Sequence, residues 1–427
     1  MQNFSSLPEA TAWAFDLQKF GIKFGLSSTQ RLLAGLGNPH LGPRYLHIAG
    51  TNGKGSVAAM LSAIFTQAGY PVGLYTSPHL IDFAERFRLR DQEIAPARLL
   101  ELINRVRQVV DAQELPTFFE FVTAMALLYF SESQADPVIL ETGMGGRLDA
   151  TNIVNPILTV ITNIALEHQE HLGTGLKSIA WEKAGCINPG VPLFTYARQK
   201  RVLALFKARA ADLGAPIYQG GVDFQVRGQG QGRFRYQGWS THLDHLVMNL
   251  RGRHQYRNAA IALAVIELLR NQGWKIPEAA IRVGLQRTYW PGRLEVISER
   301  PQVILDGAHN PAAAASLAQV IRSGLKFRRL LLVLGVMADK DIGLILKHLL
   351  PLAQVAIFTR PRYPRAATPE ELARQADGFA LEKHIVPELG AAIDQARNLA
   401  GPDDLVLITG SLFTVGEAKE YLTRPAA

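Results

Sequence analysis

Arg44-Tyr45-Leu46-His47-Ile48-Ala49-Gly50-Thr51-Asn52-Gly53-Lys54-Gly55-Ser56 is the stretch on which the fold turns. The apolar run Tyr45 to Ala49 enters a glycine-rich turn, and Val57 to Gln67 continues with helical apolar spacing. Strand, loop and helix in that order make a phosphate-binding unit. The glycines let backbone N–H groups turn toward an anion, the helix start adds partial positive charge, and Lys54 reaches the outer phosphates. A strict phosphate loop would place glycine at Ile48 and Ser or Thr at Gly55, so this is a variant loop. A glycine-rich turn that binds nothing is the alternative.

The chain has 427 residues, which suggests two or three domains, each able to bury its own core. Cys186 is the only cysteine, which rules out a disulfide framework or a cysteine-based zinc cluster and suits a reducing cytoplasm. Met1 to Gly25 mixes polar and charged residues among apolar ones, and the longest apolar run, Leu330 to Ala338, is too short for a bilayer. The expectation is a soluble, cytoplasmic protein without membrane partners. Formal net charge is +8, but the basic residues are scattered and no base-reading motif accompanies them. Small polyanionic substrates therefore fit better than nucleic acid; a merely basic surface fits equally.

Outward from the loop, further apolar strands end in chemistry-bearing residues. Pro71 to Tyr75 runs into Thr76-Ser77-Pro78-His79-Leu80, placing Ser77 at a strand's carboxyl end, where open α/β sheets bind ligands. Ser77 reads either as a metal or phosphate ligand or as a turn-forming Ser-Pro. Pro137 to Glu141 has the pattern of a buried parallel strand delivering an acid to the sheet edge, where it would hold Mg²⁺ or cap a helix. The arginines between Asp82 and Arg90 read as a solvated face, and Ala97 to Gln113 as a helix. Phe118 to Phe130 is a helix with core aromatics. Ile157 to Ile161 precedes Glu167-His168-Gln169-Glu170-His171, which is weak as a zinc site for want of further ligands. Lys183 ends a helix and reads as a helix-terminal charge.

Ile217 to Gly252 alternates glycines with aromatic and β-branched residues, the texture of a small antiparallel insert. Asn258 to Leu269 is an apolar helix, and Tyr289-Trp290-Pro291-Gly292-Arg293 has the composition of a domain junction. Strand and helix alternation then restarts with Val303–Leu305, Leu330–Leu334, Val355–Thr359 and Leu405–Thr409, implying a second parallel sheet. Its first strand ends in Asp306-Gly307-Ala308-His309-Asn310-Pro311, with Asn310 placed to cap and Pro311 to begin a helix. The fold class is α/β. Residues 1–293 form a phosphate-loop domain with a mostly parallel sheet and the antiparallel insert, and residues 294–427 a smaller Rossmann-like α/β domain.

Taken in order, GTNGKGS (Gly50 to Ser56), TSPHL (Thr76 to Leu80), ETGMGGRLDATN (Glu141 to Asn152), EKAG (Glu182 to Gly185) and DGAHNP (Asp306 to Pro311) resemble folylpolyglutamate synthase and dihydrofolate synthase, among the Mur-ligase-like ATP-dependent amide ligases. The resemblance spans nearly the whole chain, and the variant loop is the family's own. It implies ATP and two magnesium positions. Thr51, Asn52, Gly53, Lys54, Gly55 and Ser56 cradle the phosphates, with Asn258, Arg293 and Asp306 as further nucleotide contacts. Ser77 and Glu141 hold one metal. His168 contributes to a second, with Lys183, which in this family takes up CO₂ as a carbamate and so is more than a helix-end charge. Lys54, Lys183, Asp306 and His309 carry catalysis, and His309 and Ser411 lie on the amino acid side. One departure is Glu167, where the family more often has aspartate.

The implied reaction joins L-glutamate to dihydropteroate, to the glutamate tail of a folate, or to both, through an acyl phosphate, in a monomer that closes its second domain over the first. Three rivals stand beside it, of which a noncatalytic binding module that kept the fold is disfavoured because Lys54, Glu141, Lys183 and Asp306 are all present. A ligase acting on a UDP-muramyl carboxylate shares the fold, but the Gly-Ser loop ending and TSPHL lie closer to the folate branch. A nucleotide switch without ligase chemistry would need a guanine-reading Asn-Lys-x-Asp segment, which the sequence lacks.

Overall fold

Every residue of Tyr45–Ala49 is buried, as a strand covered on both faces requires. This strand, β1, lies inside a large sheet of the computed structural model, which describes residues 2–21, 23 and 25–424. Among these residues its partners are β2 (Gly73–Tyr75), β3 (Phe87–Leu89), β4 (Gln92–Glu93), β5 (Val138–Glu141), β6 (Pro156–Ile161), β7 (Leu193–Thr195) and β8 (Ile217–Gln219). The order is β4-β3-β2-β5-β1-β6-β7-β8. From β2 to β8 neighbours run parallel, while β3 and β4 add antiparallel edge strands. β1 therefore has β5 on one side and β6 on the other.

Two details depart from the sequence reading. Ile217 does not open the antiparallel insert but pairs parallel with β7. The insert is the three-stranded sheet of β9 (Gln225–Gly230), β10 (Arg233–Gln237) and β11 (His242–Val247). The run from Asp82 to Arg90 is not simply a solvated face either, because Arg86 is buried and β3 hydrogen-bonds to β2.

Helix Lys54–Gln67 follows β1 and buries every residue from Ser56 to Phe65. Helix Glu278–Arg287 approaches it so closely that a Cβ on Gly284 would lie 2.7 Å from the Ile64 Cα. Alanine is the better helix former by about 1 kcal/mol, but overpacking against backbone costs about 1–3 kcal/mol. Gly284→Ala is therefore expected to destabilise the protein by up to about 2 kcal/mol, visible as a lower thermal midpoint; a raised midpoint would contradict this packing.

Contacts divide the chain into two units. One comprises residues up to Asn249 with Tyr256–Thr288, the other Leu250–Gln255 with the residues from Tyr289 on. The second unit holds a sheet of β12 (Glu295–Glu299), β13 (Gln302–Asp306), β14 (Leu330–Leu334), β15 (Val355–Arg360), β16 (Glu382–Glu388) and β17 (Leu405–Thr409), ordered β12-β13-β17-β14-β15-β16. Only β12 runs antiparallel to its neighbour. Asn310 caps helix Pro311–Gly324, its side chain accepting from Ala313 N at 2.9 Å. Among the described residues no helix is long and apolar enough to cross a membrane.

Candidate active site

The loop after β1 needs glycine at two positions. Gly50 has φ +136°, and a Cβ there would fall 1.9 Å from Thr162 Oγ1. Gly53 has φ +91°, and a Cβ there would meet the Asn258 amide at 2.6 Å. The turn is fastened from the end of β6. Asn163 accepts from Asn52 N at 3.1 Å and donates to Asn52 O at 2.7 Å, while Thr162 Oγ1 donates to the same carbonyl at 2.8 Å. Thr51 Oγ1 accepts from Ala165 N at 3.1 Å. Helix Lys54–Gln67 begins directly behind this turn, so loop amides and the positive helix end are presented together.

Lys54 curls over the loop, its Nζ 3.2 Å from the carbonyls of Gly50 and Thr51. It also stands 3.9 Å from Glu141 Oε1, and both groups are largely shielded. Glu141 Oε2 in turn accepts from Ser77 N at 3.4 Å. The loop lysine, the acid ending β5 and the serine beyond β2 thus converge, as their places at neighbouring strand ends require. Lys183 joins them from below: buried, it donates to Gly50 O at 2.9 Å. Burial first and Lys54 second push its amine down to about 8, with Glu167 pulling the other way. His168, with φ 51°, starts the short helix Gln169–Leu172 in the loop beyond β6.

The segment after β5 is docked on the helix end that carries Lys183. Arg147 N donates to Glu182 O at 2.8 Å, and its guanidinium pairs with the Glu182 carboxylate at 3.0 Å. Asp149 shapes that segment, accepting from Met144 N at 2.8 Å, from Thr151 N at 3.0 Å and from Thr151 Oγ1 at 2.5 Å. Burial is the largest influence on Asp149 and raises its pKa. Since Thr151 gives its only hydroxyl proton to Asp149, His47 Nε2, 2.8 Å from that oxygen, must be the N–H donor. Burial holds His47 neutral, down to about 4, and its Nδ1 has no hydrogen-bond partner among the described residues.

In the second unit, Asp306 ends β13 opposite Thr409 of β17, so the Asp306 to Asn310 turn and the Gly410-Ser411 turn leave the sheet side by side. Asp306 is buried; its two oxygens accept from Leu294 N and Ala308 N, each at 3.0 Å. Burial raises its pKa, opposed by Arg293. His309 Nδ1 lies 2.8 Å from Gly307 O, and since a carbonyl only accepts, that nitrogen is the donor. Ser411 is buried and caps helix Leu412–Thr423 by accepting from Thr414 N at 3.0 Å.

Sequence reading overlooked four contributors. Thr162 and Asn163 were visible as a strand end, but their grip on a loop about 110 residues away has no local signature. Asp149 lies inside a quoted motif without being assigned a role. Arg86, whose Nε donates to His79 Nδ1 at 2.8 Å, is concealed by its charged neighbours; burial lowers both groups, His79 to about 3.

The residues fit a nucleotide and a hard metal ion. The glycine cradle leaves room where side chains would intrude, and Glu141 with Ser77 offers oxygen donors. Among the described residues no cluster of three or more His, Cys, Asp or Glu forms a metal cage. That suits Mg²⁺, which binds through one or two carboxylates and completes its shell with phosphates and water.

A phosphate loop with a shielded lysine, an adjacent carboxylate and a second α/β unit defines a nucleotide-dependent ligase. The Mur ligase middle domain matches residues 48–266, and the Mur ligase glutamate ligase domain residues 292–412. The dihydrofolate synthase/folylpolyglutamate synthase of Bacillus subtilis is 35% identical over 430 residues, covering 98% of this chain and 100% of the relative. Escherichia coli FolC, solved in complex with DHPP and ADP, superposes with a TM-score of 0.90 at 33% identity, covering 98% of both chains. A bifunctional folylpolyglutamate synthase/dihydrofolate synthase solved with Mn, AMPPNP and L-glutamate bound gives 0.87 at 33% identity over 99% of this chain and 100% of that one. The chain belongs to the Mur ligases and, within them, to the dihydrofolate synthase/folylpolyglutamate synthase family.

Proposed function

We propose that this protein ligates L-glutamate to dihydropteroate and to the glutamate tail of reduced folates, consuming ATP and releasing ADP and phosphate. The observation that carries this reading is the convergence of Lys54, Glu141 and Ser77 on the glycine cradle. An acceptor carboxylate attacks the γ-phosphate, giving an acyl phosphate, and the glutamate amine then attacks the activated carbonyl. Thr51 to Ser56 hold the phosphates, with Asn258, Arg293 and Asp306 contacting the nucleotide. Lys54 meets the charge that gathers on phosphoryl oxygens, in a site where shielding strengthens it. Glu141 and Ser77 would hold one Mg²⁺, and His168 with the carbamate form of Lys183 a second; such ions, when bound, would neutralise and orient phosphate oxygens.

Asp306 fixes the turn that presents His309, which acts on the side of the incoming amino acid. Ser411 acts on the amino acid side through the helix start that it caps. Along the chain the functional domains are read as residues 1–293 and 294–427, although Leu250–Gln255 and Tyr289 to Arg293 pack with the second unit, and the protein works as a cytoplasmic monomer.

Purified protein with Mg-ATP and glutamate, supplied separately with dihydropteroate or tetrahydrofolate, is expected to form amide product and ADP with each. Product from neither acceptor would overturn the folate reading. Lys183, buried beside Gly50, is the amine expected to take up CO₂. Under ¹³C-bicarbonate the protein should show a carbamate carbon resonance that is absent in Lys183→Arg. A resonance of equal intensity in that variant would place the modification elsewhere.

A further inference from the structure

The antiparallel insert rests on the first unit by one face of its sheet. Along β10 the sides alternate: Phe234 and Tyr236 are fully buried, whereas Arg233 and Gln237 are exposed and Arg235 is half-buried on the opposite side. The buried side packs on helix Arg253–Asn271, where the Phe234 and Tyr256 ring centroids lie 5.7 Å apart and the Tyr236 hydroxyl donates to Glu267 at 2.6 Å. On the outer side the register sets Arg235 directly opposite Arg227 of β9, and Gln237 opposite Gln225. Arg233 follows two residues before Arg235 on the same side of the strand. Among the described residues Arg227, Arg233 and Arg235 have no hydrogen bond or ion pair. Asp244, the only carboxylate from Gln225 to Val247, lies 2.9 Å from His242 Nε2.

Like charges directly opposite one another destabilise a sheet, so folding gains nothing from the Arg227 and Arg235 pair. The placement becomes favourable once an anion lies across the two guanidinium groups. Basic residues are scattered along the chain, and the register of the insert is what gathers these three on one face. The character of that face selects the anion. A protein partner would bury an apolar centre, but here the register adds only half-buried Val247, opposite Arg233, to a field of Arg and Gln. Each guanidinium is a planar fork that fits phosphate oxygens two at a time. A sugar-phosphate backbone offers such groups in a row and binds without apolar contact. Phe234 and Tyr236, the large aromatic residues of β9 to β11, are on the buried side, so no base can stack on the outer one and sequence is not read.

We propose that the outer face of β9 and β10 binds the phosphate backbone of single-stranded nucleic acid, independently of sequence, through Arg227, Arg233 and Arg235. A single strand is flexible enough to lay successive phosphates on so small a face. The three arginines belong neither to the glycine cradle nor to the Asp306 turn, so this binding is separate from the ligase reaction and does not depend on it.

Fluorescence anisotropy of a labelled oligoribonucleotide of mixed sequence, titrated with the full chain, tests it. Log affinity against log salt is expected to have a slope of about −2, from three contacts at roughly 0.7 each. The triple variant Arg227→Gln, Arg233→Gln, Arg235→Gln should bind at least about tenfold more weakly and lose most of that slope. Its thermal midpoint should not fall, because the substitutions relieve like-charge repulsion, and its ligase turnover should match wild type. Arg227→Gln alone should reduce the slope by roughly 0.7. Saturating ATP should leave the wild-type titration unchanged. A triple variant that binds RNA as wild type does would overturn the assignment, as would wild-type protein that leaves the anisotropy unmoved. Displacement of the RNA by ATP would overturn it by placing the strand in the nucleotide site. Equal competition by poly-L-glutamate at matched charge would overturn it in favour of an acidic protein surface.

Discussion

Replacing Lys54 by alanine is expected to lower ADP formation on the order of a thousandfold with either acceptor, because one preorganised donor to developing charge is worth about that much. The structure makes the loss specific. Lys54 Nζ is held by two loop carbonyls and faces Glu141 at 3.9 Å, so its charge is fixed over the loop, whereas Lys183 is buried beneath Gly50. Lys54→Arg should not restore activity, since a planar fork cannot occupy the place of a compact ammonium curled over the loop. Steady-state ADP release, with circular dichroism to confirm folding, is the measurement. Turnover within tenfold of wild type would mean that the loop does not serve as the phosphate cradle.

The second large effect is expected at Glu141. Glu141→Gln keeps an oxygen to accept from Ser77 N, so β5 and its turn should fold unchanged. What disappears is the negative charge that a hard cation requires. Activity should drop on the order of a hundredfold or more, and the Mg²⁺ concentration for half-maximal rate should shift upward. Removing divalent metal from wild-type protein with a chelator should abolish turnover, and Mg²⁺ or Mn²⁺ should restore it. If Glu141→Gln titrates with metal as wild type does, the carboxylate is not a ligand.

The parts of this protein that sequence discloses are those where chemistry follows directly from chain order. Buried parallel strands such as Tyr45–Ala49 and Leu330–Leu334 are unbroken apolar runs, and Glu141 and Asp306 stand out as acids ending such runs. Edge strands were harder. β4 is two exposed residues, and the charged, largely exposed β16 resembles a loop. Lys183 and Arg86 show the deeper difficulty. By composition each is a surface charge, yet each is buried by elements remote in sequence. Only the assembled sheet brings Lys183 to Gly50, 133 positions away. The same holds for His47, whose partner Thr151 becomes visible only when β1 lies beside the turn after β5.

The grip of Thr162 and Asn163 on the loop decides how a nucleotide is greeted. Both the carbonyl and the N–H of Asn52 are engaged from β6, and Thr51 is tethered to Ala165, so folding has already chosen the loop's conformation. Ordering a backbone residue costs about 1–2 kcal/mol, and here that cost was met when the sheet formed. An arriving triphosphate finds a finished mould, and capture depends on diffusion and charge rather than on waiting for the loop to settle.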